Sequence, residues 1–150
     1  KAYKNGDVVY SDAISVSLTN NKDFLMYNWN EITENFDNSI GYVNFVDEKH
    51  EFVSTHYIVG KTPIVKVFLS KPENETLDWL YEYLYKLYKE PLYSSESGVQ
   101  EQYGKLFTEI DNRETPQYIW KTESSLIVLI YWYDSDEDIT KYYIKAEPVK

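Results

Sequence analysis

The chain of 150 residues carries 25 Asp and Glu against 15 Lys and Arg, a formal net charge of −10. That balance repels phosphate backbones and anionic bilayers, which weighs against nucleic acid and a charged membrane surface as direct partners. A 43% hydrophobic content, with 16 tyrosines, 4 tryptophans and no cysteine, specifies a packed domain rich in polar-tipped rings and leaves no disulfide or thiol chemistry.

In chain order, Ile14, Val16 and Leu18 alternate within residues 8–18 and suggest a strand. Leu25, Trp29, Ile32 and Phe36 follow at helical spacing, so a short N-terminal helix is expected over residues 23–36. Residues 40–46 and 52–59 read as a hairpin about the polar turn 47–50. Gly60-Lys61-Thr62-Pro63 supplies the next turn, and residues 64–69 a third strand.

The strongest element covers residues 73–90. Leu77, Leu80, Tyr81, Leu84, Leu87 and Tyr88 recur every three or four residues and mark one helical face. Pro72 suits its start and Pro91 its stop, with Asn74 or Ser70 as the cap. Three more strands are expected at residues 118–122, 126–133 and 139–144. The reading is therefore an α+β fold: an antiparallel sheet of about six strands in the order βββ-α-βββ, with one main helix on a face. All 150 residues are expected to form one domain. Both faces of residues 126–133 are apolar, so that strand should be central and covered twice, by the main helix and by the N-terminal helix or a partner.

Residues 92–117 show little periodicity and are long for a connection, which favours a functional or mobile loop with room for a short helix. Tyr103, Leu106, Phe107 and Ile110 form a buried-looking cluster within it.

No phosphate-binding loop, no Gly-x-Ser-x-Gly elbow and no Ser-x-x-Lys pair occurs in the chain. His50 and His56 are the only histidines, and no cysteine completes a zinc site. Asp134-Ser135-Asp136-Glu137-Asp138 alternates like the opening of a calcium loop, yet Ile139 and Lys145 stand where that loop needs Gly and Glu. A solvated hairpin turn is the expectation there. The chain is accordingly expected to be no enzyme and to use no metal or cofactor.

At about 100° per residue, Trp79 and Tyr83 project away from Leu84, nearly to the opposite side of the main helix. Such a pair calls for a cover: the 92–117 segment, the N-terminal segment or another molecule. Trp79, Tyr83, Tyr93, Tyr103 and Phe107 are therefore the expected contact residues for a protein partner, since Trp and Tyr are enriched at interfaces.

Residues 81–91 (Tyr-Glu-Tyr-Leu-Tyr-Lys-Leu-Tyr-Lys-Glu-Pro), Tyr118-Ile119-Trp120-Lys121-Thr122, residues 126–133 and Tyr142-Tyr143-Ile144 together form a pattern. It is similar to that of small uncharacterised bacterial exported proteins, often lipoproteins. There an amphipathic helix ends near a Gly-x-Pro-like turn and a Tyr-x-Trp-Lys strand opens a meander. The resemblance covers roughly half the chain, residues 64–144. It implies a helix on an antiparallel sheet and an extracytoplasmic setting, and no catalytic residues. This chain departs from the pattern at Glu90, where Gly is usual, and in the length of residues 92–117. A first residue Lys1 fits a removed leader or a trimmed boundary. Two further readings are a cytoplasmic acidic immunity protein that blocks a basic toxin or nuclease, and a carbohydrate-binding module using exposed rings.

Overall fold

The computed structural model describes Trp29 and residues 41–45, 51–69, 76–94 and 98–150. The expected strand at 8–18, the turn at 47–50 and the candidate caps Ser70 and Asn74 lie outside the described residues, as does the helix at 23–36 apart from Trp29. Trp29 is helical and buried.

The elements in order are β1 (Gly41–Phe45), β2 (Glu51–Val59), β3 (Thr62–Leu69), α1 (Thr76–Tyr88), β4 (Tyr93–Ser94), α2 (Val99–Leu106), β5 (Glu114–Lys121), β6 (Ser125–Asp134) and β7 (Ile139–Pro148). The strands form one antiparallel sheet in the order β1-β2-β3-β7-β6-β5-β4, in which β4 is a two-residue edge. The fold is thus α+β, a six-stranded antiparallel sheet with two helices, plus that short edge. β7 pairs with β3, so the strands before α1 and those after it share a single sheet.

Turn chemistry follows the local backbone. The β2–β3 hairpin closes between Val59 and Thr62 with Gly60 at φ 65°, the left-handed conformation that a two-residue loop needs. The β6–β7 hairpin closes between Asp134 and Ile139, with Asp138 at φ 53°. Lys89 ends α1 at φ 67° and donates its N–H to the Tyr85 carbonyl at 2.8 Å, a helix end usually made by glycine.

Each sheet face carries its own core. On the first, Leu80 and Leu84 of α1 pack on Phe52, Val65, Val67, Ile127, Leu129 and Ile144. On the second, Val99, Tyr103 and Phe107 pack on Ile119, Leu126, Val128 and Ile130. The central position of β6 and its two apolar faces agree. Its second cover differs from the expectation: α2 lies there, whereas Trp29 joins the α1 side and donates its indole N–H to Ser125 Oγ at 3.0 Å.

Residues 92–117, of which 95–97 are not described, also carry more regular structure than their composition suggests. They hold β4, α2 and the first half of β5, which begins at Glu114 rather than at 118. Pro116 and a register shift between Pro116 and Tyr118 conceal that strand in the sequence. Pro cannot donate to a ladder, and it sits where β5 has no β4 neighbour, since β4 reaches only Ile119 and Tyr118.

Candidate functional site

Two groupings of side chains stand out, one sealed and one open. The sealed one lies beneath the segment that follows α2. Strand alternation puts Tyr143, Lys145 and Glu147 of β7 on the α2 face, while Ile144 and Ala146 face α1. Lys145, Glu114 and Glu147 have no exposed side-chain surface. Burial of three charges demands partners, and they are present. Glu114 accepts hydrogen bonds from the Tyr103 hydroxyl at 2.6 Å, from the Tyr143 hydroxyl, from the Asp111 N–H at 3.0 Å, and from Lys145 at 3.3 Å. The Lys145 ammonium also donates to the Tyr103 hydroxyl oxygen at 2.8 Å and to the Glu109 carbonyl at 2.6 Å. Glu147 accepts from the N–H and hydroxyl of Thr108 at 2.9 and 2.7 Å, and Tyr57 donates to Glu109 at 2.6 Å.

The electrostatics follow from this closure. Burial, then the bonds to carboxylates, pushes the Tyr57, Tyr103 and Tyr143 phenols far above their ordinary range. Burial pushes Lys145 down, against the pull of Glu114. Burial also works to raise Glu114, but the hydrogen bonds from Tyr103 and Tyr143 outweigh it and hold its carboxyl below the usual value. A carboxylate and an ammonium so enclosed reach no substrate in this conformation. Their chemistry is to hold residues 108–114 on the sheet.

The open grouping lies along the α1 face. Tyr81 stacks obliquely on Tyr118 with centroids 4.5 Å apart and touches Tyr85 at 5.9 Å. Tyr131 and Tyr142 meet edge to face at 5.4 Å across the β6–β7 pair. Tyr118 lies opposite Leu129, two residues from Tyr131 on the same face, so the two sets are neighbours on the sheet. All five rings are half-buried. Carboxylates border them: the Tyr85 hydroxyl donates to Glu90 at 3.2 Å, and that of the neighbouring Tyr133 to Asp138 at 3.0 Å. An open hollow of about 430 Å³ lies past the end of α1, between Tyr88, Leu92 and Thr122.

The five residues singled out in the sequence do not gather in one place. Trp79 and Tyr83 are half-buried and stack on each other at 5.4 Å and 11°, with Phe52 edge-on to both. They pack against the first core rather than pointing to its opposite side. The helix turns about 100° per residue, so Tyr83 lies only about 100° from Leu84, and a long ring on that flank bends back to the sheet. Because each ring faces the other, the pair forms no side-by-side platform for a sugar. Tyr93 sits half-buried in β4 against the second core. Tyr103 and Phe107 are 0% and 4% exposed, so they belong to the core under α2 and present no surface to a partner. Their three- to four-residue spacing marks the buried side of α2.

Sequence reasoning did not find the buried charges. The available signal was Tyr143-x-Lys145-x-Glu147 on a strand face whose neighbours Leu126, Val128 and Ile130 are apolar. The Asp134–Asp138 segment is a turn in which Asp134 accepts the N–H groups of Asp136 and Glu137, and no metal-binding group of carboxylates or histidines occurs among the described residues. No described helix is long and apolar enough to cross a membrane. Comparison with models of protein families, with curated proteins and with solved structures finds no match to this chain.

Proposed function

We propose that this protein is a non-catalytic domain that works by contact with another protein, through the tyrosine-lined flank of α1 and strands β5 to β7. The observation that carries the reading is the set Tyr81, Tyr85, Tyr118, Tyr131 and Tyr142: large rings held half-exposed on a rigid helix and sheet. Tyrosine supplies wide contact area with few torsions to freeze, and its hydroxyl accepts either water or a partner. Enclosure of the titratable groups under α2 supports a role without catalysis, since an acid or base must reach its substrate. The extracytoplasmic setting proposed with it rests on the sequence resemblance of residues 64–144 alone.

Hydroxyl-radical footprinting tests the contact, comparing the protein in buffer with the protein in a concentrated extract of its source culture. Tyr81, Tyr118 and Tyr131 should be protected in the extract, while the buried Tyr103 and Tyr143 stay unchanged. Equal labelling of the flank under both conditions contradicts the reading.

A further inference from the structure

Cations are distributed unevenly over the rings of the two faces. On the α2 side, Lys66 lies over Tyr57 and Tyr143, with its ammonium 5.6 and 5.2 Å from the centroids. Arg113 and Lys141 lie 4.8 and 5.2 Å from the Trp132 centroid. Along the α1 flank, Tyr81, Tyr85, Tyr118, Tyr131 and Tyr142 have no cation over them among the described residues. Among the described residues their surroundings are negative instead. Asp78, Glu82 and Glu90 stand on or just beyond α1, against Lys86 and Lys89, and the β6–β7 turn adds Asp136, Glu137 and Asp138. The field reaches the phenols: burial and then Glu90 raise Tyr81, while the bonds to Glu90 and Asp138 raise Tyr85 and Tyr133.

We propose that the tyrosine flank receives an arginine-rich surface of its partner protein, with guanidinium groups stacked on the free ring faces and paired to Glu82 and Glu90. This rests on the contact reading and names the partner's chemistry. A ring face attracts a cation through its quadrupole, and carboxylates at the ring margin add charge pairing to that attraction. Arginine fits better than lysine because its planar, weakly hydrated head stacks on a ring while its N–H groups still reach a carboxylate. The net charge of −10 draws such a surface in from a distance.

The probe is a synthetic peptide of alternating Arg and Ser, with Lys–Ser and Glu–Ser peptides of equal length. Binding is measured by calorimetry and by the ring-proton shifts of tyrosine. The Arg peptide should bind, the Lys peptide about tenfold more weakly, and the Glu peptide not at all. Tyr85→Leu with Tyr131→Leu, two rings outside both cores, should weaken the Arg peptide about tenfold. Glu82→Gln with Glu90→Gln should weaken it roughly threefold to tenfold. Glu101→Gln, an exposed acid on α2 paired to Lys105, should leave it unchanged. Near-UV circular dichroism checks that each variant is folded. An equal loss from Glu101→Gln, or none from the tyrosine pair, overturns the proposal by reducing the binding to general charge attraction. If the extract protects the flank while the Arg peptide does not bind, the partner's chemistry is wrong and the contact reading stands. If neither occurs, both fall.

Discussion

Lys145 Nζ and the Glu114 carboxylate stand 3.3 Å apart with no exposed side-chain surface on either, and the Tyr103 hydroxyl bridges them. One group belongs to the middle of β7 and the other to the first residue of β5, so the pair ties residues 108–114 and α2 to the sheet.

Removal of either charge should be costly, because it leaves the other buried without its counterpart. Lys145→Met and Glu114→Gln should each lower stability by about 3–5 kcal/mol, and the double variant should lose less than their sum. Urea melts of the four proteins measure this. Strict additivity would mean that the two groups do not act as a pair.

Stability should peak between neutral pH and about pH 9. His56 is lowered by burial from 6.5 to about 4, so between those values the unfolded chain takes a proton that the folded one refuses, and stability falls as pH drops. Asp111, lowered to about 2 chiefly by its bond from Arg113, and Glu114, held below 4.5, extend the loss as pH falls further. On the alkaline side Tyr57, Tyr103 and Tyr143 sit above 10.0 in the fold, so their contribution is present below pH 10 and lost as pH rises. Lys145, lowered from 10.5, works in the opposite direction, one group against three. His56→Gln should remove the step between pH 6.5 and 4 in a series of urea midpoints. A wild-type midpoint that is flat across that interval would contradict the neutral, half-buried imidazole.

Leu80 and Leu84 are fully buried between α1 and the sheet. Leu80→Ala or Leu84→Ala should cost about 2–5 kcal/mol through the cavity left behind. Denaturant melts showing a loss below about 0.5 kcal/mol would refute the assigned helix face.

Lys89 holds a left-handed backbone at the end of α1, and its carbonyl accepts the Trp120 indole N–H at 2.8 Å. Lys89→Gly should relieve the Cβ crowding of that conformation while keeping the carbonyl bond. A gain of about 0.5–1 kcal/mol in thermal or urea melts is expected, partly offset by the greater freedom of glycine in the unfolded chain. Destabilisation on this substitution would show that the lysine side chain matters more than the backbone.

The sequence by itself determined the elements with unbroken periodicity. Leu77, Leu80, Leu84 and Tyr88 define α1, and the alternating apolar residues of β6 make it central and doubly covered, because each pattern has one geometry that buries it. It also determined the hairpins around Gly60 and Asp134–Asp138, where turn residues act within a few positions. Only the tertiary structure decided what covers the second sheet face. α2 is short and carries Gly104, so its periodicity is weak, and nothing in the sequence says which sheet face Val99, Tyr103 and Phe107 cover. β5 was half hidden because Pro116 and the bulge beside it break the two-residue alternation. Burial of Glu114 was illegible in the sequence, and that of Lys145 and Glu147 showed only as two charges facing apolar neighbours on a strand, for a deeper reason. A charged residue is placed inside only by partners distant in sequence: Lys145 needs Glu114, 31 positions away, and Tyr103, 42 positions away. The direction of Trp79 and Tyr83 was likewise decided by Phe52 on β2, since a half-buried ring takes its orientation from whichever neighbour the fold brings to it.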